Sequence, residues 1–151
     1  MPTAEVVTKS KTKTNADVLE HCNSRTHEIA HLDMEVPFLS EPQAQGDVVV
    51  LPVEPVADRG TAVPAAGVTI VRGETAGRNA HMLHAMDGSV YWQPKNSSEA
   101  TDLVQGWLTV PEGSTATLIH TQEHNVLGIA PGCYEIRRER EFAGEWRRIA
   151  D

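Results

Sequence analysis

The chain changes character near Gln45, and that break limits its folds more than any motif does. Residues 1–44 are polar and poor in aromatics. From Gly46 onward, short β-branched segments are cut at intervals by Gly and Pro. Such segments suit strands, and none is long enough to support a helix of useful length. The expected organisation is therefore an extended N-terminal arm over residues 1–45, containing short helical turns, and an all-β domain over 46–151. The β domain is expected to be a small antiparallel sandwich or barrel of jelly-roll type. A segment that cannot bury apolar surface of its own must stay solvated or lie on a partner.

Within the arm, Thr14 or Asn15 can cap a short helix, with Asp17 and Glu20 in its first turn. Val18, Leu19 and Cys22 then share a narrow apolar stripe. A second weak helical stretch runs from Thr26 to Leu32, with Ile29 and Leu32 on one side. Neither is long enough to hold in water alone. Residues from Val36 to Gln45 include Pro37 and Pro42 and read as an extended connector.

The β domain opens with the apolar run from Asp47 to Val53. Pro52 inside this run suits a strand near a sheet edge. Further strands are expected over Val68–Arg72, Ala80–Met86, Ser89–Trp92, Leu103–Val110, Thr115–His120 and Val126–Ile129. Two more follow over Cys133–Phe142 and Glu145–Ile149. Asp87-Gly88 is the strongest hairpin signal, because Asp-Gly takes the positive φ of a two-residue reversal.

The net charge is −8 across 151 residues. An acidic chain lacks the basic footprint of a general nucleic-acid or anionic-membrane binder. Cys22 and Cys133 form no Cys-x-x-Cys pair, which argues against a disulfide framework or a zinc knuckle. There is no apolar signal core at the N-terminus and no stretch of membrane-spanning length. The expected location is a virion assembled in the host cytoplasm, or otherwise the cytoplasm.

Histidine carries the chemistry worth weighing. His81, His84, His120 and His124 lie in the β domain, and imidazoles on neighbouring strands can converge on a divalent ion. Spacing weakens that reading. His81 and His84 face opposite sides of any strand, and His120 and His124 share a face only if the strand runs on between them. Glu74 and Glu123 could act as paired carboxylates, but no spacing requires it. The Gly73-Glu74-Thr75-Ala76-Gly77 loop lacks the Lys-Ser/Thr ending of a phosphate loop. No serine sits in a nucleophile elbow. No cofactor and no small-molecule substrate are expected.

Partner contacts are expected from the arm and from the C-terminal charge run. In the arm the candidates are Lys9, Lys11 and Lys13, with the apolar Val18, Leu19, Ile29 and Leu32. In the β domain they are Arg138 and Arg140, which share a strand face with Tyr134, Ile136 and Phe142. Acids interleave the arginines, which suits a polar docking rim and not a nucleic-acid stripe.

Several short motifs carry a family resemblance: Gln45-Gly46-Asp47-Val48, Gly73-Glu74-Thr75-Ala76-Gly77, Glu123-His124, Pro131-Gly132-Cys133-Tyr134 and Arg138-Glu139-Arg140-Glu141-Phe142. With these the segment from Gln45 to Asp151 resembles small β proteins encoded in actinobacteria and their phages. That family tends to carry Gly-His-x-His after the glycine-spaced loop, where this chain has Arg78 and Ala80. If that pair holds metal in relatives, the departure implies a scaffold put to another use.

The leading expectation is a structural or interaction protein. Its β domain would dock on a large protein assembly, most naturally as a phage capsid decoration or minor capsid protein, and its arm would tie it to neighbours in a homo-oligomer. The alternative is a cupin-like metal enzyme or small-ligand sensor built on the clustered histidines.

Overall fold

The computed structural model describes residues 13–22, 32–71, 81–95, 104–120 and 125–138. Its elements are a helix α1 (Asn15–His21) and strands β1 (Phe38–Leu39), β2 (Gln43–Gln45), β3 (Val48–Pro52), β4 (Thr61–Ala62), β5 (Val68–Val71), β6 (His81–Asp87), β7 (Tyr91–Pro94), β8 (Val104–Val110), β9 (Thr115–His120), β10 (Asn125–Ile129) and β11 (Gly132–Arg138). They form a five-stranded sheet, in the order β1-β10-β9-β6-β5, and a six-stranded sheet, in the order β2-β3-β11-β8-β7-β4. All strand pairs are antiparallel except β1 with β10. The two sheets pack face to face, so the fold is a sandwich and not a closed barrel.

The period-two alternation read from the sequence sets the inner faces. Val48 and Val50 of β3, Leu108 and Val110 of β8 and Tyr134 and Ile136 of β11 point inward from the six-stranded sheet. Leu83, Ala116, Leu118 and Ile129 meet them from the five-stranded sheet. With so few aromatics, aliphatic side chains fill most of this layer. Trp92 and Tyr134 are its two large rings, and the Tyr134 hydroxyl donates to the Ala130 carbonyl at 2.6 Å.

Asp87-Gly88 departs from expectation. Gly88 does take a positive φ of 66°. The strands it joins nevertheless lie in different sheets, because β6 pairs with β5 and β9 while β7 pairs with β4 and β8. The turn is a crossover between layers. An Asp-Gly signal specifies the local reversal, and the apolar pattern of β7 then selects its sheet. The turns at Pro111–Gly113 and Pro131 cross in the same way, from β8 to β9 and from β10 to β11. Pro52 behaves as expected: β2 pairs only with Val48–Val50, so one flank of Pro52 carries no strand.

The segment before Gln45 also departs from expectation. α1 forms as read, with a reciprocal cap in which Asp17 N–H donates to Thr14 Oγ1 (3.1 Å) and Thr14 N–H donates to Asp17 Oδ2 (2.9 Å). That contact holds the Asp17 carboxyl below its usual range. But Val18, Leu19 and Cys22 are buried in a second core with Val36, Met86 and Ile119, on the outer face of the five-stranded sheet. The stripe that cannot support a free helix is completed by the chain's own sheet. The expected connector also contributes β1 and β2. Both the Thr26–Leu32 helical stretch, apart from Leu32, and the Glu145–Ile149 strand lie outside the described residues.

Candidate functional site

At one end of the sandwich a polar cluster interrupts the apolar inner layer. His81 opens β6 and His120 closes β9, and the two are cross-strand partners on the inner face. Their rings stack with centroids 4.1 Å apart and planes 7° from parallel. Both are buried, at 0% and 3% exposure.

The Gly46-Asp47 turn between β2 and β3 wraps this pair. Gln45, itself 2% exposed, donates from Nε2 to the Leu118 carbonyl at 2.9 Å and accepts at Oε1 from His81 Nδ1 at 2.9 Å. The amide orientation therefore places a proton on His81 Nδ1. Asp47 Oδ1 lies 3.4 Å from His81 Nε2, too long for a good hydrogen bond but within ion-pair reach. Asp47 Oδ2 lies 3.4 Å from Arg138 Nε. These contacts, His81 foremost, outweigh partial burial and hold the Asp47 carboxyl below its usual range. Gly46 closes the top of the cluster. Its φ is +60°, and a Cβ there would stand 3.0 Å from His120 Cε1. Glycine thus serves both the turn and the close approach to the ring.

Parallel stacked rings aim their in-plane lone pairs along parallel directions, so one ion cannot take both. If both rings were charged they would repel by about 4 kcal/mol at an effective dielectric near 20.

His84 lies on the opposite face of β6, as the strand period requires. Gly67 backs it, at φ +86°, where a Cβ would stand 2.5 Å from His84 Nε2. Burial lowers its pKa, a hydrogen bond to the Ala66 backbone partly restores it, and the nearby His21 lowers it further. His21 donates from Nε2 to the Ala85 carbonyl at 3.0 Å, which fastens α1 to the sheet. Of the four histidines expected near a metal, the structure joins only His81 and His120. His124, Glu74 and Glu123 lie outside the described residues, among which no group of three His, Cys, Asp or Glu side chains could hold an ion.

The outer face of the six-stranded sheet is the other notable surface. One row across the strands reads Leu51, Glu135, Trp107, Gln93, and the next reads Cys133, Thr109, Tyr91. All are half-buried, and among the described residues no helix or strand lies over them. Arg59 stacks on the Tyr91 ring at 3.8 Å, and Arg137 pairs with Glu135 at 3.7 Å.

The expected partner-binding residues distribute differently. Val18 and Leu19 are fully buried within the chain, and Leu32 packs against the same second core, so none of these presents a free side chain. The reason is that Met86 and Ile119 leave an apolar outer face that α1 covers. Lys13 is partly exposed, and its carbonyl accepts from Val36 N–H at 2.7 Å. Arg138 is partly exposed and pairs with Asp47 at the edge of the inner cluster. Lys9, Lys11, Ile29 and Arg140 lie outside the described residues. Sequence reasoning assigned no role to Gln45 or Asp47. The available signal was a Gly between two polar residues at the start of an apolar strand.

A model of the family described as a domain of unknown function, DUF8820, matches residues 44–139. That span holds every member of the polar cluster. No curated protein and no solved structure gives a significant match.

Proposed function

The chain belongs to the DUF8820 family, and we propose that it is a structural or interaction protein that docks on a protein assembly through the outer face of its six-stranded sheet. The observation that carries this reading is the contrast between the two outer faces. One is sealed by α1 and its apolar stripe. The other carries Leu51, Tyr91 and Trp107 in adjacent rows, with Glu135 between Leu51 and Trp107, Arg137 paired to Glu135 and Arg59 stacked on Tyr91. Aromatic rings and arginine are side chains enriched at protein interfaces. The acidic net charge favours a protein over a nucleic acid or an anionic membrane.

The setting suggested by the sequence is a phage capsid, with this chain as a decoration or minor capsid protein in a homo-oligomer. Because α1 is committed to its own sheet, tethering to neighbours would fall to the lysine-bearing stretch before Lys13. Photo-crosslinking tests the face. A crosslinker placed at Gln93 or Thr109 should yield the same discrete protein adduct in cells that make the chain, and Trp107→Glu should abolish it. Adducts no more abundant than those from a crosslinker at the exposed Glu112 would refute the docking face.

A further inference from the structure

We propose that copies of this chain associate head to tail, with the α1 layer of one copy, led by Met34, seated on the Tyr91–Trp107 face of the next. This rests on the docking reading of that face and names a second copy as its occupant. The two surfaces lie on opposite sides of the sandwich. Residues 32–36 run beside α1, where Asn15 N–H donates to the Met34 carbonyl (2.9 Å) and Ala16 N–H to the Leu32 carbonyl (3.0 Å). Leu32 and Val36 pack into the second core, while Asp33, Met34 and Glu35 are exposed. Met34, at 55% exposure, is the one exposed large apolar side chain among the described residues.

Shape and charge match this surface to the other. On the sheet face Tyr91 stands opposite Thr109 and Trp107 opposite Gln93, so the two rings are diagonal neighbours across β7 and β8. Such a diagonal spans about 7–8 Å at the backbone, a gap that a flexible thioether fills well against aromatic rings. Charge is divided between the layers. Arg59, Lys95, Arg137 and Arg138 all belong to the six-stranded sheet or the loops beside its strands. Arg137 pairs with Glu135, Arg138 with Asp47, and Asp58 beside Arg59 accepts from Gly60 N–H. The α1 layer carries the exposed Asp17, Glu20, Asp33 and Glu35 against Lys13. It therefore brings carboxylates to an arginine-bearing face. Because the contact joins two different surfaces, each added copy leaves one of each unfilled, and association continues past the dimer. Four strands about 4.8 Å apart and some 20 Å long offer roughly 400 Å² per copy, which is the size of a weak, concentration-dependent contact.

Sedimentation velocity on the purified full chain tests this. The wild-type chain should associate with rising concentration into species larger than a dimer, and added salt should weaken this several-fold. Met34→Asp and Arg59→Glu, both at exposed positions, should each give a folded monomer, as should Trp107→Glu. An equimolar mixture of Met34→Asp and Trp107→Glu should form a dimer and nothing larger, since each variant keeps the one surface that the other lacks. A wild-type chain that stays monomeric at about 0.5 mM, or a mixture that gives no dimer, overturns the head-to-tail contact. So does a closed dimer that survives Met34→Asp. Each of these leaves the docking face to its crosslinking test. Association that survives both Trp107→Glu and Arg59→Glu shows that copies meet elsewhere and overturns the contact as well.

Discussion

Gly46 shows how much one position can carry. It takes a positive φ and lies against a buried ring, so a side chain there would strain the backbone and push the ring aside by a few tenths of an ångström. Gly46→Ala should cost about 2 kcal/mol, from a left-handed penalty of roughly 1–2 kcal/mol plus displacement of His120, and urea unfolding would measure it. Tyr134 gives a second test. Burial pushes its hydroxyl up from 10.0 to about 12. A pKa raised on folding contributes stability that is fully present below the unfolded value and is lost as pH rises through the folded one. The chain should therefore lose of order 2 kcal/mol between about pH 10 and 12, at 1.36 kcal/mol per unit. Tyr134→Phe should flatten that alkaline limb while losing the hydroxyl's bond to Ala130. An unchanged limb would show that another group sets it.

Among the elements, α1 is the most informative. A helix of seven residues is unstable alone, yet Val18 and Leu19 are fully buried. Its stability thus comes from Met86, Ile119 and Val36 on the sheet side. Leu19→Ala should destabilise the whole chain by about 2–5 kcal/mol, as a buried leucine truncation does. Thr14→Ala, removing the cap, should cost about 1 kcal/mol. If Leu19→Ala left the thermal midpoint unchanged, the helix would not be part of the cooperative unit. The helix itself was legible, through Thr14, Asp17 and the stripe of Val18, Leu19 and Cys22. Its docking surface was not, because Met86 and Ile119 lie far along the chain and each reads locally as an ordinary strand residue.

For the molecule as a whole, pH is the revealing variable. Asp47 and His84 both have pKa values lowered by folding. A lowered pKa contributes stability that is present above the unfolded value and lost as pH falls through the folded one. His84 therefore weakens the fold first, below about pH 6.5, and Asp47 follows below about pH 4. The thermal midpoint should fall on acidification from pH 7.5, and His84→Asn should remove part of the upper step. If that variant kept the full wild-type profile, the loss near pH 6 would have to arise elsewhere.

The longer strands, the capped helix and the all-β class were readable because they rest on local rules: alternation with period two, turn chemistry and capping. The opposite facing of His81 and His84 followed from the same period. Sheet membership, the crossover at Asp87-Gly88, the burial of α1 and the meeting of Gln45, Asp47, His81, His120 and Arg138 rest on pairings between distant segments. Loop closure and competition among near-equivalent apolar faces settle those, and a single stretch of chain does not encode them. The histidine stack is the clearest case. Each ring is unremarkable in its own strand, and only the register of β6 on β9 places them 4.1 Å apart under the turn that begins β3.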